Sequence, residues 1–223
     1  VRLKPLITHR FPIEQAESAY ALMMEGSTPY IAMVITYPSD RARPLPRTIA
    51  VGTAPAARPV MLGIIGAGNH VKDMLLPPLQ NMENVGIRGI CTASGITAKT
   101  LAGKITAAYC TSDSQSILDD PAINTVLIGT RHDSHAALTI KALLAGKHVF
   151  VEKPLARTVA EGEELVALAE QNGLVLMVGH TFLFSPAVRR MKEIIDSGDI
   201  GEIQYISARR LNLGLFQKDI NVA

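Results

Sequence analysis

The sequence predicts an α/β fold, a doubly wound parallel sheet followed by the beginning of a second α/β domain. Three observations predict it. Strand-length apolar runs alternate with helical stretches from residue 60 to residue 178. Those runs are apolar throughout, as in "TVLIG" and "LVLMVG", which suits strands covered by helices on both faces. The first run, "MLGII", hands directly over to a glycine turn, "GAGNH".

The elements follow in order. In "PIEQAESAYALMMEG", Ala16, Ala19, Tyr20, Met23 and Met24 fall at helical spacing with Gly26 as a stop, and "YIAMVITYP" then reads as a strand. One helix and one strand cannot bury a core, so residues 1–40 form an arm with Met23 and Met24 as its core contacts. The proline-rich stretch 41–59 reads as a linker. Strands are expected at 60–65, 86–91, 107–110, 124–129, 147–151 and 174–178 within a domain spanning 60–180. Gly146 ends the helix "SHAALTIKALLA", and Thr158 with Glu161 opens the next as a capping box closed by Gly173. From 181 to 223 the pattern changes. An amphipathic helix starts at Ser185 and Pro186, a strand follows near 202–210, and a second domain begins.

Composition bounds the function. The chain has 223 residues, 48% of them hydrophobic, and 22 basic against 20 acidic residues give a formal charge of +2. Charge so balanced gives no basic face for nucleic acid or an anionic membrane. No apolar run reaches bilayer length and the start lacks a signal-peptide core, so the cytoplasm is the expected compartment. Cys91 and Cys110 lie outside any CxxC pair and read as buried free thiols. The opening Val1 and the closing "KDINVA" suggest a piece of a longer polypeptide.

Gly66 and Gly68 stand where a dinucleotide's pyrophosphate needs a tight turn and a close backbone approach before a helix N-terminus. The third position of that pattern is Val71, which puts close packing of the helix on the sheet in question. The carboxylate that usually holds the adenosine ribose is missing from "GICTASGITAK". Thr92, Ser94 and Lys99 there could accommodate a 2′-phosphate, so NADP is slightly favoured and NAD stays open. Pro77 and Pro78 are expected to kink or shorten the first helix.

"HVFVEKPLA" runs a buried strand into Glu152 and Lys153 at its carboxyl end, where α/β sheets bind ligands. Charges are costly in a cleft unless used or paired, so these two are either functional or a loop-stapling pair. His132, Asp133 and His135 resemble a metal set, but helix capping by Asp133 or Ser134 explains them more simply and no metal is expected. His180 either faces the substrate or packs in a hinge.

Together, "GIIGAGNH", "GTRHDSH", "VFVEKPLA", "VGHTFLFSPAVRRMKEIIDSGDIGEI" and "NLGLFQKDINV" resemble the Gfo/Idh/MocA family of NAD(P)-dependent sugar and cyclitol dehydrogenases over about residues 58 to 222. Members acting on nucleotide-linked sugars are the most similar, which implies a place in surface polysaccharide synthesis. The resemblance implies a Rossmann domain in which Gly66, Gly68 and Asn69 bind pyrophosphate and Thr130, Arg131 and His135 line the cofactor cleft. It further implies that Glu152 contacts the nicotinamide side and that Lys153 is the catalytic residue, assisting proton removal from the oxidised hydroxyl. The arm "PLITHRFPIEQAESAYALMMEG" resembles the C-terminal end of a medium-chain, zinc-type alcohol dehydrogenase, as in bi-domain oxidoreductases. Family members continue past "KDINV" into a WD-containing stretch with a histidine and form homo-oligomers. Without that stretch, an inactive fragment or a non-catalytic dinucleotide-binding module is the competing expectation.

Overall fold

The computed structural model describes residues 4–26, 28–37, 46–209 and 211; "NLGLFQKDINV" and the start of the linker stretch lie outside them. The chain divides into two units between Pro46 and Arg47.

In the first unit, β1 (Ile7–Pro12) and β2 (Ala32–Thr36) pair in parallel, joined through helix α1 (Ala16–Glu25). Gly26 ends α1 at φ 60°. Ala19 is the buried residue of the helix, while Met24 is 88% exposed and Met23 also lies on the outside. The methionines are therefore surface groups of the arm rather than core contacts.

The second unit opens with β3 (Thr48–Ala50), inside the proline-rich stretch, which pairs antiparallel with a later strand. Then follow β4 (Val60–Ile65), α2 (Leu76–Gln80), β5 (Val85–Cys91), α3 (Gly95–Lys104), β6 (Tyr109–Thr111), α4 (Gln115–Leu118) and β7 (Thr125–Ile128). The unit continues with α5 (His135–Leu144), β8 (His148–Val151), α6 (Val159–Gln171), β9 (Leu176–Val178) and α7 (Pro186–Ser197). The sheet order is β3-β6-β5-β4-β7-β8-β9, and every pair except β3·β6 is parallel. From β6 to β9 this is the order 3-2-1-4-5-6 of the Rossmann fold. The antiparallel β3 caps one edge.

Alternation along β4 builds the two faces. Leu62 and Ile64 join α2 and α3 residues such as Leu76 and Leu101 in one core cluster, while Ile65 joins Leu143 of α5 and Ala169 of α6 in the other. Each fully buried Leu or Ile contributes about 1.5–3 kcal/mol. The segment from 202 to 209 forms no strand, so the strand expected near 202–210 is absent among the described residues.

Ahead of α2, Val71–Leu75 form a π-helical turn in which the Leu76 N–H donates to the Val71 carbonyl. Pro77 and Pro78 cannot donate the next helical bonds. The chain widens ahead of them and the helix ends at Gln80.

An ion pair ties the sheet to its loops: Arg88 Nε lies 2.6 Å from Asp120 Oδ2, and Lys147 Nζ donates to the Asp120 and Ile123 carbonyls. Burial alone would raise the Asp120 pKa, but hydrogen bonds from Arg88 and the Ala122 N–H outweigh it and hold the carboxyl below its ordinary value. A value depressed by folding means stabilisation that is full above about pH 4 and lost as the pH falls further. Urea midpoints measured against pH are therefore expected to drop more steeply below about pH 4 in the native protein than in an Asp120→Asn variant.

Candidate active site

The carboxyl ends of β4, β5, β7, β8 and β9 lie along one edge of the sheet, and the strand order reverses between β4 and β7. Open α/β sheets bind ligands in the crevice at such a switch point.

Gly66 turns the chain at the end of β4 with φ +87°, and its N–H donates to the Cys91 carbonyl at 2.8 Å. A Cβ there would stand 2.6 Å from the Thr130 nitrogen and 2.7 Å from the Gly129 carbonyl carbon, so only glycine fits. Gly68 faces open space, its hypothetical Cβ meeting nothing nearer than the Gly129 oxygen at 4.0 Å. Exposed Asn69 follows, and the Lys72 N–H donates back to Gly68. Val71 is 2% exposed, and its side chain occupies the space that a Cβ on Gly129 would need. The chain after the glycine turn and the sheet thus approach closely through a glycine just beyond the neighbouring strand β7.

At the end of β5, Thr92 is buried and donates to the Ser94 carbonyl; exposed Ser94 precedes α3, and Lys99 lies exposed on it. Beyond β7, Thr130 is half-buried and Arg131 exposed. Ser134, at the N-cap position of α5, turns its hydroxyl to Thr130 Oγ1 and the Arg131 carbonyl rather than to the helix. His135 is fully buried, with Nδ1 2.7 Å from the Pro154 carbonyl and Nε2 3.1 Å from the Thr130 carbonyl. It spans from beneath the two loops that carry Thr130 and Lys153. His132 meets its ring edge-on with centroids 5.9 Å apart. Among the described residues, no three His, Cys, Asp or Glu side chains gather as a metal set.

Glu152 and Lys153 follow β8 and separate in environment: Glu152 is buried, Lys153 exposed. The Glu152 carboxylate lies against Gly179, where a Cβ would come within 2.7 Å of Oε1. His70 Nε2 stands 3.3 Å from Oε1, within ion-pair reach but not aligned as a hydrogen bond, so Oε1 is a buried acceptor without a donor among the described residues. His180 sits exposed at the end of β9, its N–H bonded to Val178. Every expected site residue except His135 and Lys99 therefore lies at or just beyond a strand's carboxyl end. His70, Gly129 and Gly179 were not legible in the sequence, because each matters through a neighbour far along the chain.

An open glycine cradle on one side of the switch point and, on the other, a buried carboxylate oxygen with no hydrogen-bond donor among the described residues fit a dinucleotide laid across it. Comparison with known proteins agrees with this geometry. Residues 60–180 match the family described as "Oxidoreductase family, NAD-binding Rossmann fold", and the chain belongs to that Gfo/Idh/MocA family. It is 33% identical over 145 residues to 1-carboxy-3-chloro-3,4-dihydroxycyclohexa-1,5-diene dehydrogenase of Comamonas testosteroni, covering 65% of this chain and 36% of that protein. It is 30% identical over 156 residues to dTDP-3,4-didehydro-2,6-dideoxy-alpha-D-glucose 3-reductase of Actinomadura kijaniata, covering 68% and 46%. Among solved structures, it superposes with TM-score 0.61 at 29% identity on a 3-ketoreductase from Actinomadura kijaniata in complex with TDP-benzene and NADP, covering 66% of this chain and 46% of that one. The chain thus spans less than half the length of these relatives. No helix of the described residues is long and apolar enough to cross a membrane.

Proposed function

We propose that this chain supplies the dinucleotide half of an oxidoreductase that moves a hydride between NAD(P) and a carbon bearing a ring hydroxyl of a sugar or cyclitol. The observation that carries this reading is the pairing of buried Glu152 with exposed Lys153 at the end of β8, across the switch point from the Gly66 turn. When bound, the nicotinamide ring accepts or returns the hydride.

Each residue's part follows from its surroundings. The backbone at Gly66, Gly68 and Asn69 receives the pyrophosphate. Thr92 and Ser94 lie toward the adenosine ribose, and Thr130 and Arg131 line the crevice. Glu152 Oε1 accepts a carboxamide N–H from the nicotinamide, the donor it lacks within the protein. Lys153 Nζ reaches the substrate hydroxyl, takes or returns its proton and steadies the developing alkoxide. His180 serves the substrate side. A ring diol in the name of one curated relative, a dehydrogenase, and a nucleotide-linked ring ketone in the name of the other, a 3-reductase, support the two directions of this reaction, and nucleotide-linked sugars of surface polysaccharide synthesis are its nearest case. In the same reading the arm, a βαβ unit, is the C-terminal end of an alcohol-dehydrogenase-like module. The whole protein is then a cytoplasmic homo-oligomer, in keeping with the two free, buried thiols.

The test is formation of reduced nicotinamide with a panel of cyclitols, sugars and nucleotide sugars. Turnover is expected to fall about 10²- to 10⁴-fold in Lys153→Ala, with dinucleotide affinity unchanged. Binding without turnover on any member would favour the second reading, a dinucleotide-binding module without catalysis.

A further inference from the structure

We propose that Arg47, delivered by the antiparallel edge strand β3, is the cation that receives the 2′-phosphate of NADP. The inference rests on the dinucleotide reading and adds the residue that sets its cofactor preference.

The register places it. Thr111 of β6 lies between Cys91 of β5 and Thr48 of β3. One residue further toward the ligand edge, the Thr92 N–H donates to the Thr111 carbonyl at 3.2 Å, and the Ser112 N–H donates to the Arg47 carbonyl at 3.0 Å. Thr92 and Arg47 thus flank Ser112, about 10 Å apart at two strand spacings. The end of β5 is where the ribose is held in this fold. No carboxylate occupies residues 89–98 to bind a free diol.

The β3 backbone fixes the position. Thr48 Oγ1 bonds both Thr111 Oγ1 and Ser116 Oγ, so Arg47 springs from an anchored strand end. Its side chain is 73% exposed and touches Asp113 at 3.7 Å. An exposed pair at that distance is weak, and a phosphate dianion offers the guanidinium a bidentate, charge-assisted partner in its place. Arg47 also offsets Asp113, whose charge reaches this edge: burial, then Asp113, pushes the Cys91 thiol up to about 11. Arg47 lies outside the family match at 60–180.

Two ligand pairs differing only at the 2′ position test the assignment by calorimetric titration: NADPH against NADH, and adenosine 2′,5′-bisphosphate against adenosine 5′-monophosphate. Arg47→Ala is expected to weaken both 2′-phosphorylated ligands about ten- to hundredfold and leave their partners unchanged. Asp113→Asn is expected to tighten NADPH. If Arg47→Ala changes both members of a pair equally, or Asp113→Asn weakens NADH instead, the assignment to Arg47 is wrong while the dinucleotide reading stands. If the native chain binds none of the four ligands, both fall together.

Discussion

Gly66→Ala is expected to abolish dinucleotide binding and to destabilise the second unit by about 3 kcal/mol or more, adding left-handed backbone strain to overpacking. Two costs meet at one position. The φ of +87° is strained for any residue with a Cβ, and the added methyl would overlap backbone atoms of Gly129 and Thr130 rather than a side chain able to rotate away. Relief requires moving the β7 loop away from the β4 turn, and the β4 turn is where the proposed function lays the pyrophosphate. Thermal unfolding with dinucleotide titration checks both effects. Gly68→Ala separates them: with space around it, stability is expected to hold while binding weakens, since the methyl enters only the open cradle.

His135→Ala is expected to cost about 3–5 kcal/mol, as a buried backbone carbonyl loses its donor and a buried ring leaves a cavity. Against a typical stability of about 5–15 kcal/mol, that is a large fraction of the whole. The ring holds Pro154 to Thr130, so its loss also frees the loop carrying Lys153 from the loop lining the crevice. A neutral imidazole carries one N–H and can donate to only one of the two carbonyls. His135→Gln, which keeps one amide donor, is expected to recover part of the stability. Urea unfolding of the three proteins measures it, and a cost near zero in His135→Ala would refute the clamp.

The parallel strands were legible because burial on both faces leaves no room for polar residues, so "TVLIG" and "HVFV" declare themselves. The capping box at Thr158 and Glu161 and the stops at Gly26, Gly146 and Gly173 formed as local chemistry dictates. Short strands were not legible. β3 has three exposed residues within a proline-rich stretch, and β1 mixes His9 and Arg10 into its run, so pairing rather than hydrophobicity defines them. The strand expected near 202–210 is the converse case, an apolar segment that forms no strand among the described residues. At the site, loop residues could be read from glycine and charge at strand ends. The contacts of Glu152 with His70 and Gly179, and of Val71 with Gly129, join segments that only the folded sheet brings together.

The proposed function lays a dinucleotide across the β4–β7 switch point. Its most direct test is a titration of the 223-residue chain with NADPH and NADH, monitored by backbone amide shifts in isotope-labelled protein. Saturable binding that moves the amides of Gly66, Gly68 and Asn69 together with those of Thr130 and Glu152 is the predicted result. Absence of saturable binding by a chain shown to be folded, or shifts confined to residues away from that edge, would contradict it.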